Sequence, residues 1–138
     1  MRIKSSPKTL AKRRIMRELT ALVREIVFAR DGHKCVFDGS TSHLQACHVL
    51  PKGRAPRLRF EPYNVFCGCA DCHLRWHGDP KYMLVEFERL FPGRYETLEI
   101  ANRNAPKLDY KMLRIALEIE LQAEREHIPW PANMGSRS

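Results

Sequence analysis

Residues 45–77 read QACHVLPKGRAPRLRFEPYNVFCGCADCHLRWH. The segment opens on a short apolar run that holds His48 and closes on Cys69, Cys72, His73 and His77. Between them, Pro51, Gly53, Pro56 and Pro62 punctuate the chain. The apolar pieces Leu44–Leu50, Leu58–Phe60 and Val65–Phe66 are each too short for a helix. They predict short strands joined by turns. From Cys69 to His77 the turn residues stop and a short helix is expected. If that helix forms, the four-residue step from His73 to His77 puts both imidazoles on one face. Two imidazoles so placed can share one divalent cation.

The pair Cys69-x-x-Cys72 places two thiolates where one Zn²⁺ can take both. A partner pair is expected upstream at Cys35, where the position of a second cysteine is held by Asp38. A carboxylate oxygen also ligates Zn²⁺, so Cys35, Asp38, Cys69 and Cys72 form a possible structural zinc site. Cys67, His43 and Cys47 remain alternatives for the fourth ligand. The plain alternative is that some of these cysteines are small buried hydrophobes. The chain has five cysteines and no apolar leader after its basic start, which predicts thiols or metal ligands in a reducing compartment rather than disulfides.

Outward from this core, residues 8–30 predict a helix. Met16, Leu19, Val23, Ile26 and Val27 form one stripe with Ile15 and Leu22 beside it, and Asp31-Gly32 ends it. Lys12, Arg13, Arg17 and Arg24 fall mostly off that stripe. Downstream, helices are expected at Lys81–Leu90 (Tyr82, Val85, Phe87, Leu90), at Arg94–Asn102, and after Asp109 as a cap. The last would carry a stripe of Met112, Ile115, Ala116 and Ile119 flanked by Leu113 and Leu117. The fold class is therefore α+β: a long N-terminal basic helix (8–30), a zinc-bearing hairpin core (35–80) and C-terminal helices (81–126). These make one domain over 1–134, with residues 135–138 as a tail.

Of 138 residues, 43% are apolar and 29% charged, values of a folded chain rather than a disordered one. No apolar run approaches the roughly 20 residues that span a bilayer. The net charge of +8 is uneven: residues 1–34 hold ten Lys/Arg against three Asp/Glu, while 109–126 hold three against five. A basic arm of this kind suits a polyanion, with a merely solvated basic surface as the alternative.

The string from Ala46 to Gly53, followed by Leu58 to His77, resembles the HNH (ββα-metal) endonucleases. The wider frame of Arg30-Asp31, Cys35, Gln45-Ala46, Leu58-Arg59-Phe60 and Asn64 resembles the phage NinG/Rap recombination nucleases. The resemblance implies a β-hairpin crossed by a helix with one divalent ion (Mg²⁺, Mn²⁺ or Zn²⁺) between them. By position, it makes His48 the general base, His73 and His77 metal ligands, and Asn64 the residue that holds the hairpin loop. Cys47 stands where such enzymes often have an Asp or His ligand, so it becomes a candidate third ligand favouring a soft ion. Lys52, Arg54, Arg57 and Arg59 would meet phosphates flanking the cut. Trp76 could stack on a base, but packing against the knuckle is favoured.

The function expected from this resemblance is hydrolysis of DNA phosphodiesters with low sequence specificity, on double-stranded or branched DNA such as D-loops and Holliday junctions. A homodimer would suit a symmetric junction. The setting would be the cytoplasm of a bacterium or phage-infected cell. Two other readings stand beside it. One is a non-catalytic zinc-binding DNA module. The other is a colicin-like toxin nuclease, which would need a delivery region.

Overall fold

Strand β1 (Leu44–His48) pairs antiparallel with β2 (Val65–Cys69), in the register Leu44 opposite Cys69 and His48 opposite Val65. The computed structural model describes residues 3–126 and is α+β: five helices and this two-stranded sheet among the described residues. The expected tail at 135–138 lies outside them. The helices are α1 (Pro7–Arg30), α2 (Ala70–Gly78), α3 (Pro80–Leu90), α4 (Arg94–Asn104) and α5 (Tyr110–Arg125). No helix among the described residues is long and apolar enough to cross a membrane.

The two-residue period of the strands sorts their side chains onto two faces. Cys47 and Phe66 turn to one face, where Trp76 of α2, Met83 and Phe87 of α3 and Leu98 of α4 bury them. Phe66 sits 5.1 Å from Trp76 and 5.8 Å from Phe87, centroid to centroid, so Trp76 packs in the core as favoured. Gly68 is needed on this face. A Cβ there would lie 3.0 Å from the Cys47 sulfur and 3.3 Å from the Phe66 ring, closer than side chains tolerate. Val65, Cys67 and Ala46 turn to the other face, against Leu19, Val23, Ile26 and Val27 of α1 and Leu117 and Leu121 of α5.

Helix α1 begins as its sequence predicts. Ser6 caps it by accepting from the Thr9 N–H at 3.2 Å, Pro7 fills the first turn, and Asp31 and Gly32 (φ +76°) end it. Helix α5 runs parallel to α1, because Glu18 pairs with Arg114 and Glu25 with Arg125 in ascending order on both.

Two expectations need correction. Leu58–Phe60 is not a strand. Residues 56–58 and 62–64 form single 3-10 turns, each with proline in its first position, where the fixed φ favours a tight helical start. On α5 the expected stripe is the wrong one. Met112, Ile115 and Ile119 are exposed, and Leu117, Leu121 and Glu124 are buried. The helix carries apolar residues on two sides, and α1 takes the Leu117/Leu121 side.

Candidate functional site

The metal-ligand corner forms where the loop after α1 meets the start of α2. Cys35 and Asp38 lie in a tight turn closed by the Gly39 N–H on the Cys35 carbonyl (2.9 Å), with Gly39 at φ +74°. Cys69 ends β2 and caps α2, its sulfur accepting from the Cys72 N–H at 3.4 Å. The ligand atoms of Cys35, Asp38, Cys69 and Cys72 all lie within 4.8 Å of one another, so this cluster could hold a metal ion. The fit to tetrahedral zinc is direct. Zn–S of about 2.3 Å and Zn–O of about 2.0 Å place ligand sulfur and oxygen roughly 3.5 Å apart. Asp38 Oδ2 lies 3.3 Å from the Cys69 sulfur and 3.4 Å from the Cys72 sulfur. The other carboxylate oxygen, Oδ1, is engaged by the Ser40 N–H at 2.9 Å, which orients the ligand and draws its pKa down.

The alternatives for the fourth ligand sit elsewhere. Cys67 is buried on the α1 side of the sheet, and its thiol is pushed up to about 11, by burial first and the Asp31 carboxylate second. His43 lies outside the cluster and gives its carbonyl to the Ala70 N–H. Cys47 is fully buried in the α2 core, where desolvation pushes its thiol up to about 12.

The histidines occupy the exposed side of the same hairpin and helix. His73 Nε2 and His77 Nε2 face each other at 3.1 Å. Two nitrogens about 2.1 Å from one ion at 90–110° would be roughly 3.0–3.4 Å apart. Gln45 holds this arrangement. Its side-chain oxygen accepts from His73 Nδ1–H at 2.6 Å, which leaves Nε2 as the lone-pair nitrogen. Burial, and secondarily His77, lower the His73 pKa. Gln45 belongs to the quoted motif, yet its role was not assigned. Its place on the strand face that meets α2, two residues before Cys47, is the signal that could have found it. Among the described residues no third His, Cys, Asp or Glu joins His73 and His77 at ligand spacing. Cys47, the candidate third ligand, is a core thiol instead, packed by Phe66 and Gly68.

His48 ends β1, half-buried, with Nε2–H donating to the Arg59 carbonyl at 2.9 Å. A carbonyl can only accept, so Nδ1 is the basic nitrogen. Desolvation lowers the His48 pKa, and Lys52, Arg59 and His73 add to that. The ring is therefore neutral at pH 7. The loop that carries this carbonyl is held by Asn64, which is fully buried. Asn64 Oδ1 accepts from the Leu50 N–H at 2.8 Å. Its Nδ2 donates to the carbonyls of Leu50 (3.1 Å) and Leu58 (3.2 Å). One side chain thus ties both ends of the 49–64 loop.

The four loop cations are less free than their sequence suggests. Arg54 pairs with Glu99, Arg57 donates to the Ala105 carbonyl at 2.9 Å, and Arg59 lies over the Phe60 ring. Lys52 is exposed. A second pair of arginines, Arg30 of the NinG-like frame and Arg94, neither with a role assigned from the residues alone, braces the hairpin. Arg94 (1% exposed) and Arg30 both donate to the Val65 carbonyl, at 2.9 and 2.6 Å. Asp31 neutralises Arg30 and accepts from the Cys67 N–H at 2.9 Å.

No family model matches the chain, and comparisons with curated proteins and with solved structures also find no match.

Proposed function

We propose that this chain is a metal-dependent endonuclease of the HNH class, with Cys35, Asp38, Cys69 and Cys72 holding a structural zinc. The observation that carries the reading is the His73–His77 pair, aligned by Gln45, beside a hairpin that ends on a neutral, backbone-held His48. In this reading His48 Nδ1 takes a proton from water as its oxygen attacks the scissile phosphorus. The bond to the bridging oxygen then breaks, and solvent protonates the leaving oxygen. A divalent ion on His73 and His77 supplies charge stabilisation for the phosphate. Asn64 and the Arg59 carbonyl keep the imidazole in the basic tautomer. Lys52 and Arg59, which have no carboxylate partner among the described residues, meet neighbouring phosphates. The wider NinG-like frame makes branched DNA the substrate to try first.

Nicking of supercoiled plasmid with added Mg²⁺, Mn²⁺ or Zn²⁺ tests the reading. Cutting that persists at the wild-type rate in His48→Ala would overturn the mechanism. A non-catalytic zinc-binding DNA module is the second reading, and the two-ligand histidine pair favours it, since no third protein ligand completes that site among the described residues. DNA binding with no cutting under any of these ions would select it.

A further inference from the structure

On the loop beside His48, Arg54 is paired with Glu99, while Arg57 is held only by the Ala105 carbonyl, so Lys52, Arg57 and Arg59 have no carboxylate partner among the described residues. A second group of unpaired cations lies on the first half of α1. Residues 6–14 are all exposed, and Lys8, Lys12, Arg14 and Arg17 have no carboxylate partner among the described residues. The apolar face of α1 reaches full burial only at Leu19. At 1.5 Å per residue, Lys12 and Lys8 stand roughly 10 and 16 Å along the axis before that point. There the start of α5 comes alongside. Between the two helices runs an open groove of about 720 Å³, lined by Lys12, Arg14, Lys111 and Arg114 against Glu18 and Asp109. Glu18 is already paired with Arg114, while Asp109 accepts from the Lys111 and Met112 N–H groups and keeps its charge, so four cations against two carboxylates leave the groove at a net charge of about +2. Lys8 lies one turn before Lys12 on the same side and extends the track.

We propose that this α1/α5 groove is a second phosphate-binding surface that grips a DNA duplex away from the histidine site. The proposal deepens the nuclease reading by adding a substrate-holding face, but its binding chemistry stands without any cutting. The occupant is set by charge complementarity: a row of exposed cations along a helix, outnumbering the acids beside it, matches a regular polyanion.

The test is fluorescence anisotropy of the full chain on a labelled duplex of about 20 base pairs, titrated over salt without added divalent ion. Lys12→Glu/Lys111→Glu is compared with Arg13→Glu/Arg17→Glu. The latter makes the same charge change about 100–140° round α1, away from the groove. Glutamate keeps helix propensity, and circular dichroism confirms folding. The expected result is at least a tenfold loss of affinity for the groove variant. Its log–log salt slope should also flatten by about 0.9 per lost phosphate contact. The opposite-face variant should stay within about threefold of wild type. Equal losses in both variants, no loss in either, or a wild-type chain that binds no duplex would each overturn the proposal. So would a groove variant that loses only binding to phosphatidylserine vesicles. Plasmid nicking, measured separately, decides the catalytic reading. Its absence beside the expected anisotropy pattern would sink the nuclease alone.

Discussion

Helix α2 carries two very different sites. At its N-terminus, Cys69 and Cys72 converge with Cys35 and Asp38 into four donor atoms within 4.8 Å of one another. On its outer side, His73 and His77 present two donors to solvent, with Gln45 behind them. A full set of four matches a closed site, whose contribution is to hold the chain together. A partial set leaves room for water or substrate. The difference teaches where to look for chemistry. The cluster ties the loop after α1 to the hairpin, and the open pair lies on the exposed side of α2.

The largest expected effect removes the first of these sites. Metal analysis should find one zinc per chain. Stripping it with a strong chelator, or making Cys72→Ala, should lower the melting temperature by more than 10 °C, since such ions contribute of order 10 kcal/mol to folding. An unchanged melting temperature would mean that the cluster is only packed thiols.

Next comes His48. His48→Ala should cut the nicking rate by about 10²- to 10⁴-fold while zinc content stays at one. The pH profile has a definite sign. Because the folded His48 pKa lies below its ordinary 6.5, the base form, and the stability linked to it, is present above pH 6.5. Both are lost as pH falls through that lowered value. A rate that instead rises on acidification would remove His48 as base.

A smaller effect tests the alignment of the pair. Gln45→Ala should weaken divalent-ion affinity about 10- to 100-fold without changing the zinc at the cluster. If both ions are lost together, the two sites are one unit and the contrast fails.

The smallest effect checks that neither site depends on the far side of the sheet. Burial first, and the Glu61 carboxylate second, raise Glu120 to about 7, and its Oε2 is buried without a hydrogen bond. A raised carboxyl contributes its stability at low pH and loses it as pH climbs through 7. Glu120→Gln should therefore stabilise the fold at pH 8 by on the order of 1 kcal/mol, discounted for partial exposure, and do nothing at pH 4. Zinc content and nicking should not move.

Much of this architecture was legible in the residues. Helix α1 was readable because its apolar stripe and its Asp31-Gly32 stop agree; its Ser6 cap was not read. The cluster was readable because Cys69-x-x-Cys72 constrains geometry by spacing alone, and Asp38 needed only a carboxylate at the right place in a turn. The 49–64 loop was not, because apolar Leu58 and Phe60 mimic a strand while Pro56 and Pro62 enforce 3-10 turns. The buried face of α5 was hidden by having two apolar sides, and only the partner helix decides between them. The place of Cys47 was misleading: its position in the motif marks it as a metal ligand, and the strand's alternation turns it into the core at Gly68 and Phe66 instead. The roles of Arg30, named only as part of the NinG-like frame, and of Arg94 were invisible because their shared acceptor, the Val65 carbonyl, has no side-chain signature.

The parallel seating of α1 on α5 has a consequence for how the chain reaches this state. The contacts Glu18–Arg114 and Glu25–Arg125 join residues 96 and 100 apart. During synthesis α1 emerges long before its partner, with Leu19, Val23 and Ile26 uncovered. Closure over such a separation is slow compared with local helix formation. The hairpin and its neighbours can condense first, while α1 waits for residues near 120. A ribosome-bound chain stopped before α5 should therefore present the part of that stripe which the hairpin leaves uncovered to any hydrophobic surface within reach, which makes α5 the step that completes its burial.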